Sequence, residues 1–97
     1  KNQVLVTAAT YSALLTDEVI DVNRAGVVTV TMPVPALKNT GQVWYVQDSS
    51  GDAANNTITV ARPNASYNIN GGASVTLTTN YGRLMIQYNG TQYVSSA

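Results

Sequence analysis

Apolar and polar residues alternate with period two over most of this chain, the signature of short strands with one face in a core. Val28, Val30 and Met32 point one way while Thr29 and Thr31 point the other; Ile58 and Val60 oppose Thr57, Thr59 and Ala61; Val4 and Val6 oppose Leu5. The same reading predicts strands over residues 3–7, 11–15, 18–23, 27–32, 43–47, 57–62, 67–69, 74–79, 83–88 and 92–95. Turn residues punctuate them: Asn23-Arg24-Ala25-Gly26, Asn80-Tyr81-Gly82 and the hairpin signal Asn89-Gly90. Pro33 and Pro35 cannot donate to a ladder, which makes 33–41 a connection. Ala, Leu and Glu raise helix propensity only over 8–19, where Thr10, Tyr11, Ser12 and Thr16 dilute it. About eight to ten short strands without a long helix predict an all-β chain, an antiparallel β-sandwich or jelly-roll-like barrel.

The inward set predicted by this alternation is Val4, Val6, Ile20, Val22, Val28, Val30, Val46, Ile58, Val60, Ile69, Val75, Leu77, Leu84 and Ile86, with β-branched residues doing the work of the absent phenylalanine. Tyr88 follows Leu84 and Ile86 inward, and Tyr93 sits across the Asn89-Gly90 hairpin from it. Val4-Leu5-Val6 and Val43-Trp44-Tyr45-Val46 are apolar on both faces, so either loops cover their outer sides or one of them meets another chain.

Length and charge narrow the classes. The 97 residues make one small domain, expected over 1–97. A first residue of Lys reads as a fragment or a processed chain, and Ala97 after a closing strand as the natural end, so a C-terminal module of a longer protein is expected. Five basic and five acidic residues cancel, leaving no electrostatic footprint for nucleic acid or an anionic membrane. No apolar run approaches the ~20 residues of a membrane-spanning helix. Cysteine is absent, so disulfides and thiolate sites are excluded.

Candidate chemistry is sparse. Asp48-Ser-Ser-Gly-Asp52-Ala-Ala-Asn55-Asn56 puts carboxylates and amide oxygens on a glycine-bearing loop, a ligand set of the kind calcium uses. The EF-hand spacing and its closing glutamate are missing, and Asx and Ser side chains capping their own turn account for the same residues without a metal. Asp17-Glu18 and Asp21 cluster, but adjacent strand residues face opposite ways; a solvated edge is the simpler reading than a carboxylate pair for glycoside hydrolysis. Without His, without Cys and without a nucleophile-elbow context for Ser, no enzyme is expected, and no cofactor. Asn-x-Ser/Thr sequons at Asn55, Asn64 and Asn89 matter only in a eukaryotic secretory route. Six tyrosines and Trp44 among many Asn, Gln, Ser and Thr would suit stacking on sugar rings and bonding to hydroxyls. Tyr81 and Tyr67, beside turns, are expected to be exposed.

Asp48-x-x-Gly51, Asn56-Thr-Ile-Thr-Val60, Tyr67-x-Ile-Asn-Gly71, Leu77-x-x-Asn80-Tyr81-Gly82 and Tyr88-x-Gly90-Thr-x-Tyr93-x-Val, preceded by Tyr11-Ser-Ala-Leu, Ile20-x-Val-Asn and Val28-Thr-Val-Thr-Met-Pro33, resemble small β-sandwich domains of bacteriophage tail fibres and other virion appendages. The likeness covers about residues 10–95 and consists of turn residues and inward apolar positions. It implies a structural protein on the virion surface, a homo-oligomer with a trimer favoured. Its partners would be other virion proteins and a host-surface glycan or protein, engaged multivalently. The contact residues expected on this basis are Trp44, Asp48, Asp52, Asn55, Tyr67, Asn80 and Tyr81. A capsid decoration module, or a bacterial adhesin or carbohydrate-binding module, are the alternatives.

Overall fold

The computed structural model describes residues 2–97. Among the described residues nine strands form two sheets: β1 Gln3–Val6, β2 Thr10–Ser12, β3 Val19–Val22, β4 Val28–Thr31, β5 Val43–Asp48, β6 Ile58–Ala61, β7 Ser74–Leu77, β8 Arg83–Tyr88 and β9 Tyr93–Ser96. A 3-10 turn at Leu37–Asn39 is the one helical piece among the described residues. The five-stranded sheet runs β1-β3-β5-β8-β9 and the four-stranded sheet β2-β4-β6-β7. Inward residues of both sheets, Ile20, Val22, Val46 and Ile86 from one and Val28, Val30, Ile58 and Val60 from the other, share one core.

The chain is nearly all β, but the expected antiparallel arrangement is corrected. β1, β3 and β5 lie parallel, as do β2, β4 and β6; only β5–β8, β6–β7 and β8–β9 are antiparallel. The first six strands are dealt alternately to the two sheets, so the chain coils around the core and each strand returns beside its predecessor but one. The physical reason lies in the links. Thr7-Ala8-Ala9 has none of the residues that close a two-residue hairpin, so the chain crosses to the opposite sheet; a strand inserted in the other layer supplies the crossover that a parallel pair requires. Where Asn89-Gly90 does occur, β8 and β9 form the hairpin. Gly90 adopts φ 104°, and the Asn89 carboxamide oxygen accepts from the Thr91 and Gln92 amides. Neither sheet closes on itself, so the jelly-roll-like barrel is not what forms.

Every residue of the predicted inward set is buried or packs against the core, Val4 and Val75 only partly. The expected strand at 67–69 reduces to isolated bridges from Ile69 to Gly72 and Tyr93. Because parallel coiling sends successive links to alternate ends, links 7–9, 23–27, 49–57 and 78–82 gather at one end of the molecule, and 13–18, 32–42, 62–73 and 89–92 at the other.

Candidate functional site

β5 is the middle strand of its sheet, and its inward face carries Trp44, Val46 and Asp48, all buried. The two ends of this one face organise the two ends of the molecule.

At the first end Asp48 is only 2% exposed, and both carboxylate oxygens are engaged. Oδ1 accepts from the Ser50 hydroxyl at 2.8 Å and the Gly51 amide at 3.2 Å; Oδ2 accepts from the Ala53 amide at 3.0 Å and the Tyr81 amide at 3.2 Å. Burial pushes this carboxyl up, but the bonds from Ser50, Ala53, Tyr81 and Gly51 outweigh it and hold it below its ordinary 3.8. The one Ser50 hydroxyl proton is shared between Asp48 and Asp52, whose Oδ1 lies 2.5 Å from the Ser50 oxygen; Asp52 also accepts from the Asn56 carboxamide at 2.9 Å, and Asn80 Oδ1 accepts from the Ala54 amide at 2.9 Å. The carboxylates thus tie link 49–57 to link 78–82, as turn-capping groups do. Among the described residues no three His, Cys, Asp or Glu side chains converge.

This hub presents Tyr81. The residue has φ 57°, a left-handed conformation uncommon for an aromatic, and its side chain is 74% exposed. Its ring lies over Gly51: a Cβ there would come within 2.3 Å of Tyr81 Cζ, and Gly51 itself has φ 79°. The positive φ favours glycine at 51, and a Cβ there would displace the exposed Tyr81 ring from its place over the turn.

The opposite end is held by aromatic rings. Trp44 meets Tyr93 edge-on at 5.7 Å, Tyr93 meets Tyr88 at 5.7 Å and Tyr88 meets Tyr67 edge-on at 6.4 Å. Their polar heads reach into the links: Trp44 Nε1 donates to the Leu14 carbonyl at 3.1 Å, and the Tyr93 hydroxyl donates to the Pro33 carbonyl. Burial, with Tyr88 and Tyr67 adding to it, pushes the Tyr93 hydroxyl well above the ordinary tyrosine range. Nearby, Tyr11 donates to Asp17 Oδ2 at 2.5 Å; burial first and then Asp17 push its hydroxyl up to about 12.

Of the seven contact residues expected from sequence, Asp52, Asn55, Asn80 and Tyr81 share the first end, with Asn55, Asn80 and Tyr81 exposed and Asp52 half-buried. Three corrections follow. Trp44 has no exposure and belongs to the core. Asp48 is buried beneath the loops and positions Tyr81 without itself reaching the surface. Tyr67, expected to be exposed beside its turn, is half-buried against Tyr88 at the far end. The signal that separates these residues was present in the chain: Trp44 and Asp48 have the same parity as Val46, and a strand that buries one buries all three. The second face of Val43 to Val46 is the outer face of the sheet, where Val43 and Tyr45 are half-buried and Arg83 lies 5.0 Å over the Tyr45 ring.

No family model matches the sequence, and no curated protein matches it.

Proposed function

We propose that this chain is a β-sandwich attachment domain of a virion appendage, of the tail-fibre type its motifs resemble, and that the Tyr81 end meets a host-surface glycan or protein. The observation that carries this reading is an aromatic ring held out to solvent at a backbone cost, over Gly51 and on an amide anchored by buried Asp48. Left-handed backbone at a non-glycine residue persists only where its surroundings over-determine it, and such positions concentrate at ligand contacts. An exposed tyrosine flanked by Asn80, Asn55 and Asp52 offers a flat face for a sugar ring or a side chain, with carboxamides and a carboxylate for hydroxyls. The described residues form no pocket, which suits a shallow contact multiplied by repetition on a particle.

The test is binding of the labelled chain to a panel of bacterial cells and to a glycan array, beside Tyr81→Asn, which tolerates the positive φ and removes the ring. Binding by the native chain that Tyr81→Asn abolishes, at an unchanged melting temperature, is the expected result. Binding indifferent to the substitution, or none across cells and glycans, overturns the reading.

The outer face of β5 favours a second reading, a capsid decoration module. Tyr45 there pairs with Met85 of β8, while Gln87 lies between Val43 and Val94 of β9, a mostly apolar face that suits a protein partner. Binding to preformed capsids but not to cells would select it.

A further inference from the structure

β1 and β2 are the outermost strands of the two sheets on the same side of the molecule, and each is parallel to its one neighbour. Val19 and Asn23 donate to the carbonyls of Asn2 and Val6, so the parallel ladder turns the backbone groups of Val4 toward β3 and those of Gln3 and Leu5 away from it. In the other sheet Thr29 donates to Ala9 and Ala13 to Thr31, which turns Tyr11 toward β4 and Thr10 and Ser12 outward. The core is also incompletely covered here: Val4 and Tyr11 pack against it yet are only partly buried. Neither strand carries a charge, a proline or a bulge, devices that discourage pairing at an edge; shortness is the one such device they have, at four and three residues.

The far side differs. There the outer edge of β9 is occupied by the chain itself: Tyr93 donates to the Asn68 carbonyl, Asn70 donates to the Tyr93 carbonyl, and the Asn70 carboxamide bonds both the amide and the hydroxyl of Ser95. Head-to-tail stacking of copies is therefore blocked in the five-stranded sheet, while the β1/β2 side stays available.

We propose that a second copy of this chain pairs with the β1/β2 side across a two-fold axis normal to both sheets, β1 antiparallel to its counterpart and β2 to its counterpart. Both open strands lie on the same side, which is what an axis shared by the two sheets requires. The register follows from the ladder. Val4 faces the Val4 of the second copy as a non-hydrogen-bonded pair, while Gln3 and Leu5 exchange hydrogen bonds across the seam; Tyr11 faces Tyr11, and Thr10 exchanges with Ser12. Every inward side chain meets an inward one, so Val4 and Tyr11 complete their burial. A single foreign strand would satisfy one sheet only, whereas an isologous copy satisfies both.

The two-fold pair is distinct from the three-fold fibre implied by the motif resemblance, and mass in solution separates them. Light scattering on the full chain should give twice the chain mass. Val4→Cys, the one cysteine in the protein, should oxidise to a covalent dimer, because a non-hydrogen-bonded antiparallel pair brings Cα atoms to about 4.5 Å, within disulfide reach. Leu5→Pro, and independently Gln3→Lys with Leu5→Lys, should return the mass to one chain with unchanged circular dichroism. A monomer at millimolar concentration, a trimer, a dimer that persists in both edge variants, or a dimer whose Val4→Cys form does not cross-link overturns the proposal.

Discussion

The two ends of the molecule solve one problem with different leading chemistry. At the Asp48 end a buried carboxylate accepts from three loop amides and a hydroxyl. At the Trp44 end ring heads donate to loop carbonyls, Leu14 from Trp44 and Pro33 from Tyr93. Links that run over a core leave backbone groups without ladder partners, and each must find one. A single strand, β5, serves both ends with Trp44 and Asp48 four residues apart, and at the aromatic end buried Asp17 adds a carboxylate that accepts from the Leu14 amide and the Tyr11 hydroxyl. The difference teaches that the carboxylate end is held by directional bonds that depend on charge, and the aromatic end by packing to which hydrogen bonds are added.

The contrast is broken most severely at the aromatic end. Trp44→Ala should cost ~3–5 kcal/mol in chemical denaturation, since it opens a large cavity and leaves the Leu14 carbonyl without its donor. A loss below ~1 kcal/mol would mean that the end is held by something other than the ring cluster.

Asp48→Asn should cost ~2–3 kcal/mol, because one carboxamide oxygen cannot accept what two carboxylate oxygens accept. The acid limb sharpens the point. The folded carboxyl is held below its ordinary 3.8, so its stabilisation is fully present above that value and lost as pH falls through the lower folded one. The native chain should therefore lose stability on acidification through this window, and Asp48→Asn should show a flatter acid limb; parallel limbs would assign the acid sensitivity elsewhere.

Tyr93→Phe is the smallest change. It keeps the ring contacts with Trp44 and Tyr88 and removes only the bond to Pro33, so a loss of ~1 kcal/mol is expected, far less than for Trp44→Ala. A loss as large as that for Trp44 would show that the hydroxyl, not the packing, holds this end.

Strand positions and the inward set were legible because period-two burial leaves a local imprint, as in Val28-Thr29-Val30-Thr31. Tyr88 and Tyr93 were legible as core from the same alternation and the Asn89-Gly90 hairpin. Trp44 and Asp48 were misplaced when residue type, an aromatic and an acid in a polar chain, was allowed to outweigh their parity with Val46. Of the contact set, Asn80 and Tyr81 were readable from a turn on the surface; that Asp52 and Asn55 share their end was not.

By itself, then, the sequence determined an all-β chain, the faces of its strands, its hairpin and the absence of charge from its outer strands, since alternation, turn chemistry and composition act over a few residues. Only the tertiary structure decided that the strands coil in parallel between two sheets, that links 49–57 and 78–82 meet over Asp48, and that β1 and β2 open on the same side. Those are contacts between residues distant in the chain, and which distant segments meet depends on how every link crosses the core together.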